Sequence, residues 1–263
     1  MSGPTPILDL FRRGEVARDV RLLAAQGTLA PRALEQIEIL VLLLEDADPE
    51  IRQAADATVN SIPVETLQTF LARSDVSIGL REFFGDRGVF PAEIPPIVEA
   101  DDPLVDTAPS EFVEPEEEHT EAERASVVQR LSQMGFTDRL KAAMKGTKEM
   151  RAILIRDPNK MISAAVLSSP KVTEQEAASF ARMASLSEDV LRAIGSNRAW
   201  LKNYNLVVAL TKNPKTPLAM SMQLMNRLTG KDLAKLGVDR NVPEALRISS
   251  RKKVASNLSG KGD

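Results

Sequence analysis

With 263 residues, 43% apolar, 4% aromatic and no cysteine, the chain has the aliphatic content for closely packed helices. Disulfides, thiolate metal sites and cysteine nucleophiles are excluded together, and a single histidine leaves out most transition-metal sites. The net charge of −3 hides a separation by position: residues 1–98 carry 9 Lys/Arg against 15 Asp/Glu, residues 99–123 none against 11, and residues 124–263 carry 25 against 11. Asymmetry of this kind concerns partners rather than fold, and it favours a binding role over a catalytic one.

At the N-terminus, MSGPTP has no basic region followed by an apolar core, so no signal peptide is read there. The longest apolar run, Ile39–Leu44, is far too short to cross a bilayer. The expectation is a cytoplasmic protein with no membrane contact, for which a reducing compartment is compatible with the lack of cysteine. Residues 1–98 are expected to form a helical module. Leu34, Ile37, Leu40, Val41 and Leu44 recur at three- and four-residue steps and predict one apolar helix face. Asp48-Pro49-Glu50 reads as an N-cap, a first-turn proline and a first-turn acid, opening a second helix with Ile51, Ala54, Ala55 and Val59 inward. Pro63 begins a third. The stretch 33–63, with its Asp-Pro turn and Arg52 behind it, resembles a HEAT-type repeat.

Residues 99–123, EADDPLVDTAPSEFVEPEEEHTEAE, are acidic, proline-rich and poor in apolar residues. Such a segment buries too little surface to offset its ordering entropy, so a disordered linker is predicted between two modules. The only histidine, His119, stands among Glu116, Glu117, Glu118 and Glu121, where a solvated residue of a flexible segment is the expected reading rather than a metal ligand or pH sensor. Asp101, Asp102 and Asp106 lack the spacing and glycine of a calcium loop.

Residues 124–263 form the expected basic C-terminal module, and they repeat. SSPKVTEQEAASFARM (168–183) aligns with KNPKTPLAMSMQLMNR (212–227), and Ile194–Arg198 with Leu236–Arg240, at a period just over 40 residues. Thr173 with Glu176 reads as a capping box, Thr216-Pro217 as an N-cap followed by proline, and Asp157-Pro158 and Asn241-Val242-Pro243-Glu244 as further helix starts. Asn213-Pro214-Lys215-Thr216-Pro217, with Leu224 and Leu228 downstream, resembles the signature of leucine-rich repeat variant solenoids. That resemblance and the HEAT one imply an α-solenoid of short helical hairpins, all-α, with a surface for partners. Without cysteine no iron–sulfur ligands exist, and no cofactor, metal site or small-molecule substrate is expected.

No catalytic constellation is legible. The candidate partner-binding residues are Arg198, Trp200, Lys202 and Tyr204, together with Lys212, Lys215, Arg247, Arg251, Lys252 and Lys253. On one helix Trp200 and Tyr204 share a face, either packed inward as core or exposed between cations to stack on bases or anchor a protein. Lys141, Lys145, Lys148, Arg151 and Arg156 add cations at helical spacing. The basic surface suits an acidic protein partner, which makes the chain a non-catalytic interaction scaffold. It equally suits a phosphate backbone, with its own acidic linker as a tethered competitor. An enzymatic alternative is a HEAT-like DNA glycosylase, in which Asp157, Asp189 or Asp239 could supply the acid; Trp200 exposed beside a carboxylate in a concave basic groove would favour it.

Overall fold

Capping side chains set the helix starts. Asp48, Ser77, Thr147, Asn159, Thr173, Ser187, Asn203 and Thr229 each accept a hydrogen bond from a backbone N–H in the first turn that follows, satisfying donors a helix leaves orphaned. The computed structural model describes residues 6–93, 101–108, 112 and 121–259, and among them every regular element is helical. The all-α expectation holds. Two compact units divide the chain between Lys171 and Val172.

The first unit contains α1 (Pro6–Arg12), α2 (Arg18–Ala25), α3 (Ala33–Leu43), α4 (Pro49–Ser61), α5 (Val64–Leu71), α6 (Ile78–Gly85), α7 (Glu121–Gln133), α8 (Phe136–Lys145), α9 (Lys148–Leu154) and α10 (Lys160–Ser168). Asp48 caps α4 with Pro49 in its first turn, as its sequence predicts, and Arg52 donates to the Asp46 and Ala47 carbonyls at the turn. In α3, Leu34, Ile37 and Leu40 are buried as the apolar stripe predicts, but so are Glu35, Gln36 and Ile39. The helix is covered on more than one face. Each such aliphatic side chain contributes roughly 2 kcal/mol by leaving water.

Two features bind the front of this unit to its end and do not follow from the charge boundaries. First, α1 packs on α10. Glu35, 3% exposed, accepts from the Ile7 and Leu8 N–H groups at 2.9 Å each, and the Arg32 N–H and Nε donate to the Ser168 and Ser169 carbonyls, each at 3.2 Å. Second, residues 101–108 lie along the unit instead of hanging free. Gln36 Oε1 accepts from Leu104 N–H at 2.7 Å, Thr107 N–H donates to the Gly27 carbonyl, and Lys145 donates to Asp106. Disorder is therefore not the state of these eight residues, because buried side chains satisfy their backbone. The remaining stretches of 99–123 outside 101–108, Phe112 and α7, including His119, lie outside the described residues.

The second unit contains α11 (Glu174–Ala181), α12 (Glu188–Ser196), a 3₁₀ turn (Trp200–Lys202), α13 (Tyr204–Lys212), α14 (Leu218–Met225), α15 (Gly230–Val238) and α16 (Glu244–Ser259). Its core includes Phe180, Leu191, Ile194, Trp200, Leu206, Leu210, Leu233, Leu236 and Leu246. The capping box of Thr173 and Glu176 forms. Two expected caps move. Thr216 does not cap α14; its hydroxyl is buried without a hydrogen bond, and Pro217 precedes the helix. Asp157 stands two residues before the cap Asn159 and accepts that residue's N–H.

A trio of helices recurs: α2–α3–α4, α8–α9–α10, α11–α12–α13 and α14–α15–α16, the first helix of each packing on the third. Before every third helix an Asp or Asn accepts the N–H two residues on: Asp46 from Asp48, Asp157 from Asn159, Asn197 from Ala199 and Asp239 from Asn241. In the first two trios an arginine of the leading helix also clasps that aspartate, Arg21 on Asp46 at 2.6 Å and Arg139 on Asp157 at 2.9 Å. At or just past the third helix's far end a side chain donates back to carbonyls at the end of the first: Thr58 to Ala25, Ser169 to Met144, and Asn213 to Ala181 and Met183. These bonds terminate helices whose last carbonyls would otherwise be orphaned.

Candidate functional site

Dividing the chain at 171 redistributes its charge. Residues 172–263 carry 15 Lys/Arg against 8 Asp/Glu, a net of +7, and residues 1–171 a net of −10. Ten of the 25 cations in 124–263 thus belong with the acidic unit. There Lys145 and Arg151 are buried, Lys145 on Asp106 and the Ala108 carbonyl and Arg151 on the Gly146 carbonyl at 2.7 Å. They serve packing, not a solvent face.

All ten candidate residues lie in the second unit. Trp200 and Tyr204 do not share a helix face, because Asn203 ends the 3₁₀ turn and caps α13 between them. Trp200 is 5% exposed and belongs to the core, its N–H accepted by Asn197 Oδ1 at 3.2 Å. Tyr204 is 38% exposed, and its hydroxyl donates to Asp232 Oδ2 at 2.6 Å while accepting the Thr229 N–H at 3.0 Å. That bond is the main reason the Asp232 carboxyl titrates below its ordinary range, opposed by burial and helped by Thr229, Lys235 and Lys212. The structure therefore brings Tyr204 of α13 to the first turn of α15.

The remaining cations sort into two kinds. Arg251 donates to the Gly237 carbonyl at 2.7 Å, Lys253 to Asn226, and Arg227 to the Leu201 carbonyl at 2.6 Å. Arg247 is half-buried, with Nε enclosed and making no hydrogen bond. Arg198, Lys202, Lys215 and Lys252 are exposed and form no ion pair among the described residues. Their charge is available to a partner.

Two of the three carboxylates considered for an acid role are engaged within the fold. Asp157 is occupied by Arg139 and Asn159, and Asp239 by Asn241. Trp200 is buried, so the exposed arrangement that would have favoured the enzymatic alternative is not formed. Among the described residues no group of His, Asp and Glu is arranged to hold a metal, and no helix is long and apolar enough to cross a membrane. No family model, curated protein or solved structure matches the chain.

Gln36 is the residue whose importance the sequence conceals. It stands inside a helical stretch, Leu34–Leu43, that reads as core, and only Leu104-Val105, an aliphatic pair within an acidic run, hints at what it holds.

Proposed function

We infer that the protein is a non-catalytic interaction scaffold, an α-solenoid of helical trios whose basic second unit holds an acidic protein partner. The observation that carries this reading is the set of exposed cations Arg198, Lys202, Lys215 and Lys252, unpaired among the described residues, on a unit of net charge +7. Cations already paired internally add little to binding, whereas these steer an oppositely charged partner without first breaking an internal ion pair. The burial of Trp200 and the engagement of the Tyr204 hydroxyl favour a protein over single-stranded nucleic acid, since no aromatic pair is presented for stacking.

Titrating the full chain with a labelled glutamate-rich peptide, a DNA duplex and a single strand, at low and physiological salt, tests the reading. The peptide should bind at physiological salt, and reversing Arg198, Lys202, Lys215 and Lys252 to Glu should weaken it by about tenfold or more. Tighter, steeply salt-dependent binding of either nucleic acid would assign the surface to phosphate backbones instead. Peptide binding that ignores the four reversals would remove this surface from the function.

A further inference from the structure

Residues 101–108 sit on the first unit in the manner of a bound peptide. Gln36 is 2% exposed and uses its whole amide on them: Oε1 accepts from the Leu104 and Val105 N–H groups at 2.7 and 3.1 Å, and Nε2 donates to the Val105 carbonyl at 2.5 Å. Two successive N–H groups converging on one oxygen need a bent backbone, and the chain bends at Leu104, so this clamp reads a bent peptide conformation before sequence. Gly27 makes the close approach feasible. Its φ is +72°, and a Cβ there would lie 2.9 Å from Val105 Cγ1. Thr107 completes the backbone register through its N–H on the Gly27 carbonyl and its hydroxyl on the Gln26 carbonyl. Cations mark both ends, Arg32 and Arg73 at Asp101 (3.5 and 3.3 Å) and Lys145 at Asp106.

The segment is nevertheless lightly held. None of its eight residues is fully buried, and Asp102, Asp106 and Thr107 are exposed. Segments with little apolar burial open at far lower free energy than the helices beneath them.

We propose that this groove is a peptide-binding site of the first unit, occupied by residues 101–108 as a tethered, displaceable stand-in for an acidic peptide of another protein that bends as this segment does. The recognised pattern is an aliphatic pair followed directly by an acid, with another acid three residues before the pair, as in Asp101, Leu104, Val105 and Asp106. Tethering gives the resident segment an effective concentration on the order of millimolar, so a segment of intrinsic Kd about 10–100 μM masks the groove by roughly 10–100-fold until it lifts. Different residues in a different unit carry this inference and the scaffold reading, so either can fail alone.

The test uses a labelled peptide copying residues 99–110, titrated into the full chain and into its Val105→Asp, Asp106→Lys variant. The first change removes the contact over Gly27, and the second repels Lys145. The peptide should bind the variant about tenfold more tightly than the unaltered chain. A peptide N-methylated at the position of Val105, unable to donate to Gln36, should bind the variant about tenfold more weakly than its parent. Failure to bind a variant that keeps native helicity and cooperative unfolding would make the segment a fixed part of the fold and overturn the proposal. So would a dimer of the unaltered chain that dissolves in the variant, since the occupant would then be the same segment of a second copy. If the variant does not fold, amide exchange on the unaltered chain decides: Leu104 and Val105 should exchange about 100-fold faster than the buried amides of α3, and equal rates would overturn the proposal.

Discussion

Glu35 shows how a single buried carboxyl is decided by competing effects. The Leu8 and Ile7 N–H groups, Ser168 and the nearby Arg32 all favour its ionised form, yet burial outweighs them and pushes its pKa up to about 7 from an ordinary 4.5. The folded chain therefore holds this proton more tightly than the unfolded chain does. Below about pH 4.5 the group's contribution is fully present, and it is lost as pH rises through about 7, a change of roughly 3 kcal/mol. Glu35→Gln keeps an oxygen to accept from Ile7 and Leu8 but does not ionise. Urea unfolding of that variant should show a flatter dependence on pH across the window than the unaltered chain, with the largest gain in stability at the alkaline end. Parallel curves for the two proteins would show that Glu35 is not the group that titrates. Trp200 makes a different point at this scale. Four-residue spacing predicted a shared helix face with Tyr204, but Asn203, itself a capping type, starts a new helix between them. A spacing rule holds only inside one helix, and the interruption was written in the residue the rule skipped.

Among elements, the repeat was legible where it rests on caps and not where it rests on return bonds. Pro170-Lys171 and Pro214-Lys215 mark equivalent turns in the sequence and set Ser169 on Asn213, whereas the carbonyls these two reach, Met144 against Ala181 and Met183, need coordinates. Asn213 is 5% exposed and also accepts the Lys215 N–H at 3.0 Å. Asn213→Ala strips partners from buried backbone groups and should cost about 2–3 kcal/mol in urea unfolding, while Asn213→Ser should recover part of that by adopting the bond that Ser169 makes. An alanine variant as stable as the parent would deny the bond any structural weight. The acidic segment was misread for a related reason. Composition predicts whether a stretch can bury its own apolar surface, and 101–108 does not; it is ordered by Gln36, Gly27 and Lys145, contributed from helices far away in sequence.

For the whole molecule, charge gave the polarity but misplaced the border. The run of acids ends near Glu123, yet α7 to α10 complete the first unit, so compactness changes at Lys171 rather than where the sign of the charge does. Each copy thus carries a unit of net −10 and a unit of net +7. Opposite patches on one molecule attract their counterparts on the next when screening is weak. Sedimentation should show association at low ionic strength that reverts to monomer as the Debye length falls to about 10 Å near 0.1 M salt. A mass independent of salt would mean that the two fields are neutralised within a copy. The return bonds from third helix to first have a consequence for descent. Because Thr58, Ser169 and Asn213 each close a trio on itself, a gene duplication that copies one trio also copies its fastening. Asn197 follows Asp157 by 40 residues and Asp239 follows Asn197 by 42, so the trios differ slightly in length while each keeps the side chain that accepts the N–H two residues on. Lineages carrying this architecture are free to gain or shed whole copies, and the number of trios becomes a heritable quantity that selection can adjust separately from the chemistry of any one of them.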